Sequence, residues 1–226
     1  MKIEKSTEIR ENELSDDELA VINTMTMMEV TKDDVFTFKA ILCDNQVDRD
    51  NEAFSDETLK QLAFLFLGKP VIKDHTPTAD NQIARIYRTE VKETALAKYL
   101  IAYCYMMKTA GNADFIKEIQ GGIKKEGSVG CAIGARTCSI CGTDLMKSQC
   151  RHAPGKSYKG KTCYSILSDA KDAYEFSFVA IPAQRNAGIS KNFDTEQQKA
   201  DEIRIRSRIA GLRAKNGGSF DEQEDA

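Results

Sequence analysis

The residue types with the clearest chemical meaning lie in one cysteine-rich stretch. Cys138 and Cys141 have the Cys-x-x-Cys spacing, and Cys150 and His152 follow after eight intervening residues as a Cys-x-His pair. A Cys-x-x-Cys turn can place two thiolates on one ion, and the second pair would complete a tetrahedron. Four protein ligands close the coordination shell, so we expect a structural Zn²⁺ rather than a catalytic one. Cys163 is the alternative to His152 as the fourth ligand.

A second set of residues could carry out nucleophilic catalysis. A serine attacks a carbonyl carbon only when a base takes its proton, and histidine is the usual base. The sequence has two histidines, and if His152 binds the metal then His75 is left for this role. Ser128 is the candidate nucleophile, because we expect a Gly-Ser-Val-Gly turn in which small neighbours leave backbone N–H groups free to hold an oxyanion. Taken singly, such residues are more often a surface histidine and an ordinary turn serine.

A third group should orient the histidine. Glu175 is our choice, because period-two alternation places Glu175 and Ser177 on one face of a predicted strand. Asp169 and Asp172 are the alternatives.

The elements that would position these groups can be read from periodicity and capping signals. Ser15 to Glu18 has the pattern of a capping box, which predicts a short helix to about Asn23. Further helices are predicted from Ser55 to about Leu67 and from Asn112 to Gln120. Strands are predicted at residues 35–43, 70–74, 82–92, 97–107, 127–135 and 174–182. This pattern indicates an α+β fold with a mainly antiparallel β-barrel core flanked by helices and a small zinc-binding insertion.

Composition divides the chain into three parts. Residues 1–34 hold ten acidic and four basic residues and read as a charged arm that is mobile or docks elsewhere. Residues 35–189 form the predicted folded domain, with residues 136–163 as a zinc-knuckle insertion that we expect to border the active site. Residues 190–226 read as a charged tail, partly helical or disordered. We expect this tail to be dispensable for the fold and to be removed by self-cleavage.

The overall composition excludes several classes. A net charge of −3 with no basic stripe argues against a nucleic-acid binder. No apolar run is long enough for a membrane span, and the first residues lack the apolar core of a signal peptide. We therefore expect a reducing cytoplasm, where cysteines rarely form disulfides. Cys43, Cys104 and Cys131 lie in predicted strands and are expected to be buried apolar residues.

Four motifs, taken in their order, resemble the prohead (capsid-maturation) proteases of tailed phages, which are distant relatives of the herpesvirus assemblin proteases. The motifs are Val47-Asp48-Arg49-Asp50 with Phe54, Lys73-Asp74-His75 followed by a strand from Ile83 to Ile86, Gly127-Ser128-Val129-Gly130, and Glu175 to Ala183 followed by Asn186-Ala187. The resemblance covers residues 36–189. In one departure, Cys131 stands where such enzymes often have a bulky apolar residue, which alters packing but removes no catalytic group.

The resemblance implies a serine endopeptidase with an assemblin-like barrel, His75 as general base and Ser128 as nucleophile. The third member varies within the family, so Glu175 is carried as a hypothesis. The implied substrates are the assembly segment of the major capsid protein, the scaffold protein and the protease itself. The portal and a second copy of the chain are further expected partners. The implied location is the host bacterial cytoplasm, inside the assembling procapsid.

Two other classes compete with this interpretation. A zinc-stapled capsid-assembly or scaffolding protein without catalysis would use its charged arms to bind shell proteins. The joint presence of His75 and Ser128 in matching motifs argues against it. A zinc-dependent nucleic-acid module is the other class, and the acidic charge balance argues against it.

Overall fold

Strands dominate the computed structural model, which describes residues 14–184 and 187–189. All of these residues belong to one compact unit, Met1–Lys191. The predictions made for the tail, and for Asn186 in the last motif, lie outside the described residues.

Three helices and ten strands are formed. The helices are α1 (Asp16–Asn23), α2 (Asp56–Leu65) and α3 (Ala113–Gln120). The strands are β1 (Val35–Asp44), β2 (Glu52–Phe54), β3 (Pro70–Lys73), β4 (Ala84–Glu93), β5 (Lys98–Met107), β6 (Gly127–Cys138), β7 (Ser157–Tyr158), β8 (Lys161–Thr162), β9 (Ser165–Phe178) and β10 (Gly188–Ile189). Short 3₁₀ turns occur at Ala79–Asn81 and Ala110–Asn112. These counts refer to the described residues.

Eight strands make one curled sheet. Its order is β10-β1-β5-β4-β3-β9-β2, and β6 pairs with the other side of β9. Helix α2 connects β2 to β3, and both strands run parallel to β9, while the remaining pairs are antiparallel. The fold is therefore α+β, and five of the seven strand pairs in this sheet are antiparallel, as predicted, but two pairs are parallel and the sheet is a half-barrel rather than a barrel. Period-two patterning reports which face is buried and carries no information on strand direction.

Helix α2 shows how local sequence signals produce the elements. Ser55 caps it, with its hydroxyl accepting from the Thr58 N–H at 3.2 Å. The helix buries Leu59 and Leu62 against the sheet. Gly68 then adopts a φ of +73°, which glycine reaches without steric cost, and the chain turns into β3.

The packed region begins earlier than the charge pattern suggested. Helix α1 forms with the predicted capping box between Ser15 and Glu18. Ile22 and Val30 are 0% and 2% exposed, and Glu18 binds Arg88 of β4 at 3.0 Å. The boundary predicted at Val35 is therefore wrong for residues 14–34. That boundary rests on a count of charged residues, and such a count does not register Ile22 and Val30, which are buried although acidic residues surround them in the sequence.

Strand β9 is longer than predicted and ends sooner. It begins at Ser165 instead of residue 174, and it ends at Phe178. Its first half is polar because it forms a long hairpin with β6, in which cross-strand hydrogen bonds stabilise the pair without a continuous apolar face. Ile181 lies beyond the strand and is exposed.

Candidate active site and metal centre

His75 lies in an unusual backbone conformation directly after β3. Asp74 and His75 have φ values of 54° and 50°, a left-handed region that costs non-glycine residues energy and that often occurs at functional sites. The Asp74 N–H donates to the Phe178 carbonyl at 2.9 Å. The Asn81 amide donates to the carbonyls of Lys73 and Thr76 at 2.7 and 2.8 Å. These bonds hold the loop in position on both sides of the histidine.

A buried carboxylate holds the imidazole ring. His75 Nδ1 and Glu175 Oε1 are 2.8 Å apart. A carboxylate oxygen only accepts, so this contact favours the tautomer of the neutral ring in which Nδ1 is the donor and Nε2 is left as the acceptor. The Glu175 side chain is 9% exposed and the His75 side chain is 45% exposed, so the acid is inside and the base faces outward. Of the three acids considered from sequence, the structure brings Glu175 to the histidine.

Ser177 connects both residues and was not assigned a role from sequence. Its hydroxyl donates to Glu175 Oε2 at 2.7 Å and accepts from the His75 backbone N–H at 3.0 Å. Ser177 is fully buried. It therefore fixes the carboxylate and the histidine backbone at once. The only sequence signal was its place on the same strand face as Glu175.

Gly130 makes room for this carboxylate. It lies opposite Glu175 in the β6–β9 pair, and a Cβ added to Gly130 would be 2.5 Å from Glu175 Oε1. Gly127 has a different role, because a Cβ there would overlap the ring of Phe176 in the core. The two glycines of the Gly-Ser-Val-Gly motif thus serve the site and the core respectively.

Ser128 lies on strand β6, which confirms the strand predicted at residues 127–135, and the Gly-Ser-Val-Gly turn expected around it does not form. A small, glycine-rich segment can form either, and pairing with β9 selects the strand. Ser128 is directly opposite Ser177. Opposite residues of an antiparallel pair project to the same face with Cβ atoms about 5 Å apart, so the half-buried Ser128 side chain shares a face with Ser177 and Glu175. No hydrogen bond joins Ser128 to the His75 imidazole within residues 14–184 and 187–189.

The two alternative acids bind lysines instead. Asp172 is 3.1 Å from the Lys69 ammonium, and this hydrogen bond lowers the pKa of Asp172. Asp169 is 2.7 Å from the ammonium of Lys171.

The first and last motifs of the series meet in space. Arg49 donates from Nη1 to the Pro182 carbonyl at 2.6 Å, and its backbone N–H donates to the Ala183 carbonyl at 3.2 Å. Gln184, a further residue that sequence reasoning missed, accepts from the Asp44 N–H at 2.7 Å and donates to the Asp44 carbonyl at 3.2 Å. These contacts fix the segment after β9 against the end of β1.

The four residues of the predicted metal site lie together. The ligand atoms of Cys138, Cys141, Cys150 and His152 are all within 4.8 Å of one another. The tight turn needs Gly142, whose φ is +72° and whose N–H donates to the Cys138 carbonyl at 2.8 Å. A tetrahedral ion with bonds of about 2.0–2.3 Å separates its ligands by somewhat less than 4 Å, so the cluster is close to this geometry.

Two features indicate that these residues suit a metal ion. His152 Nδ1 is buried and has no hydrogen-bond partner among the described residues, as expected of an atom that binds a metal ion. Burial would raise the pKa of the Cys138 thiol, but backbone N–H groups of Cys141 and Ile140 donate to the sulfur and lower this pKa to about 7. The cluster can therefore supply a thiolate at neutral pH.

Cys163 lies beside the cluster, with its sulfur 3.8 Å from the Cys138 sulfur. This separation also fits two thiolates on one zinc, so Cys163 remains an alternative fourth ligand. Cys43 and Cys104 are buried, as predicted. Cys131 packs half-buried against the core, and burial raises its pKa to about 11, so it is not an activated thiol.

The metal centre does not border the serine. Ser128 and Cys138 are ten residues apart at the two ends of β6. A strand rises about 3.3 Å per residue, so the two sites are roughly 30 Å apart. The expectation from sequence was wrong because the position of an insertion in the chain does not reveal the length of the hairpin that carries it.

Comparisons of the chain with protein-family models, with curated proteins and with solved structures find no match. No helix among the described residues is long and apolar enough to cross a membrane.

Proposed function

We propose that this protein is a serine endopeptidase with Ser128 as nucleophile, His75 as general base and Glu175 as the group that orients the base. The observation that carries the proposal is the buried Glu175 carboxylate on His75 Nδ1, at 2.8 Å, beside a strand that presents Ser128 on the same face. A base held by a third group next to a hydroxyl is the arrangement required for acyl transfer.

In the proposed mechanism, His75 Nε2 takes the proton from Ser128 Oγ as this oxygen attacks the scissile carbonyl carbon. The Glu175 carboxylate stabilises the imidazolium that forms, without taking its proton. The imidazolium then gives the proton to the leaving amine, and an acyl group remains on Ser128. Water, deprotonated by the same nitrogen, then attacks the acyl carbon, and the imidazolium returns this proton to Ser128 Oγ as the carboxylic acid product leaves. Substrate binding must bring Ser128 Oγ within about 3 Å of Nε2, a contact that often tightens only in the complex.

The resemblance of the motifs to prohead proteases supports a substrate class. We propose that the enzyme cleaves the assembly segment of a major capsid protein, the scaffold protein and its own tail inside an assembling procapsid, with the portal as a further partner. An assemblin-like relationship of the half-barrel belongs to the same proposal.

The ion of the metal centre is proposed to be Zn²⁺. Three soft thiolate ligands and one imidazole favour zinc over magnesium or calcium, which prefer oxygen ligands. Four protein ligands leave no open position for water or substrate, so the zinc would stabilise the insertion and take no part in peptide hydrolysis.

Labelling with a fluorophosphonate, whose phosphorus is attacked by an activated serine with loss of fluoride, tests the nucleophile in the purified chain. One adduct is expected by intact mass, absent in Ser128→Ala and much slower to form in His75→Ala. An adduct that persists in Ser128→Ala would contradict the assignment of this serine.

A further inference from the structure

The segment between β6 and β9 has a charge opposite to that of the whole chain. Residues 139–164 contain five basic residues and one acidic residue, Asp144, in a protein with a net charge of −3. We call this segment the zinc module. Asp144 pairs with Lys147 at 3.0 Å, and the remaining basic residues are Arg151, Lys156, Lys159 and Lys161. Basic residues thus outnumber acidic ones in this segment, which also carries three of the four candidate metal ligands.

These four basic side chains are exposed, and none of them pairs with a carboxylate in the part of the chain that the structure describes. Three of them surround one hairpin. Lys156 precedes β7, Lys159 lies in the turn, and Lys161 begins β8. Elsewhere in the fold, some exposed lysines, such as Lys60 and Lys171, have acidic partners. The zinc module therefore presents a cationic surface that the chain does not neutralise.

The turn of this hairpin contains Lys159, which does not stabilise the fold. Lys159 and Gly160 have φ values of 51° and 76°, as in a two-residue type I′ turn. This turn favours asparagine or glycine at its first central position, and a lysine with positive φ is disfavoured there by about 1 kcal/mol. The Lys159 side chain makes no hydrogen bond or ion pair among the described residues. Compared with asparagine or glycine, which suit this turn position better, Lys159 adds a positive charge.

The metal cluster gives this surface a fixed shape. A hairpin with two residues in each strand does not hold together in water unaided. Here the Cys163 N–H donates to the Lys156 carbonyl at 2.8 Å, and Tyr158 packs edge-on against His152 with ring centroids 4.6 Å apart. The hairpin is thereby attached to the metal ligands. The cluster lies roughly 30 Å from Ser128. A metal ion there would hold the hairpin in position, which is a role separate from catalysis.

We propose that the zinc module is a docking surface for an acidic segment of a partner protein, a function beyond the proposed peptidase activity. Carboxylates of an Asp- or Glu-rich segment would pair with Lys156, Lys159 and Lys161. A single-stranded nucleic acid would require exposed aromatic side chains for base stacking. The two aromatic residues of the module, Tyr158 and Tyr164, are half-buried, and Tyr158 is engaged with His152.

Binding of a fluorescent polyglutamate peptide to the full chain, followed by anisotropy at low and at physiological salt, tests this proposal. Lys159→Asn is the informative variant, because asparagine suits the turn and removes only the charge. Lys60→Gln, on the exposed face of α2, is the matched control, since it removes one positive charge outside the module. An exposed ion pair contributes about 0.2–1 kcal/mol, so we expect Lys159→Asn to weaken binding roughly 1.5- to 5-fold and Lys60→Gln to leave it unchanged.

Neutralising Lys156 and Lys161 together, by Lys156→Gln and Lys161→Gln, is expected to weaken binding by about the product of two such factors. Affinity should also fall as salt rises. Equal losses in the Lys60→Gln control and in the module variants would overturn the proposal, as would polyglutamate binding no tighter than binding of a neutral peptide. If an oligothymidylate bound more tightly than polyglutamate and its binding depended on the same lysines, the proposed acidic protein partner would be wrong and a nucleic acid would be the partner.

Discussion

Replacing Gly130 with alanine would put a methyl group where the Glu175 carboxylate lies. The new Cβ would be 2.5 Å from Oε1, 3.3 Å from Cδ and 3.6 Å from Cγ. An ordinary contact between carbon and oxygen is about 3.4 Å, so the carboxylate oxygen must move by nearly 1 Å. The displaced atom ends a flexible side chain, and the strand itself need not shift. The 2.8 Å hydrogen bond to His75 Nδ1 would then lengthen beyond hydrogen-bonding distance.

The expected loss of activity follows from this bond. A hydrogen bond to a charged group contributes about 1.5–3 kcal/mol. If that energy holds the imidazole in its productive orientation, Gly130→Ala should slow acylation of Ser128 about 10- to 150-fold. The assay is the rate of fluorophosphonate labelling, or kcat/KM for a capsid-derived peptide, with the folded fraction checked by urea denaturation.

Gly134→Ala is the matched control. Gly134 is on the same face of β6, and its Cβ would meet the side-chain ends of Asp169 and Lys171, which are exposed and lie away from His75. This variant should keep full activity. A folded Gly130→Ala protein as active as the wild type would refute the reasoning, because Glu175 would then have no role in orienting the base.

Three further predictions follow from the described contacts. Ser177→Ala should lower both the acylation rate and the free energy of unfolding, the latter by about 1–3 kcal/mol, because it removes a hydrogen bond to the buried Glu175 carboxylate and another to the His75 N–H. Kinetics and urea denaturation would measure the two effects. Removal of the metal by a chelator should speed hydrogen exchange in residues 139–164 while leaving the labelling of Ser128 intact, since the sites are roughly 30 Å apart. Burial raises the pKa of Glu18, but the Ser15 and Arg88 hydrogen bonds outweigh it and lower this pKa overall. The resulting stability, less than about 1 kcal/mol for a partly exposed pair, should be lost as pH falls below the normal glutamate range, and Glu18→Gln should remove this pH dependence.

Local signals predicted the elements well. The caps at Ser15 and Ser55 and the strand before His75 all depend on neighbours within a few residues, and each was confirmed. The clustering of the Cys-x-x-Cys and Cys-x-His pairs was also predictable, because ligand spacing constrains the turn that holds them.

Long-range relationships could not be predicted. The parallel pairing of β2 and β3 with β9 depends on where the α2 crossover lies, which periodicity does not report. The roles of Ser177 and Gly130 depend on the register of two strands, which pairs Gly130 with Glu175 and Ser128 with Ser177 across a long stretch of chain. The burial of Ile22 and Val30 was hidden by the surrounding acidic residues.

Co-expression of the chain with a major capsid protein that carries an assembly segment, wild type against Ser128→Ala, tests the central proposal most directly. Intact mass spectrometry would report both proteins. The proposed function predicts that the wild type trims the capsid protein and that Ser128→Ala leaves it whole, with the fold and the bound zinc unchanged. A capsid protein left whole by a folded, zinc-bound wild type would contradict the peptidase assignment and favour a non-catalytic assembly protein.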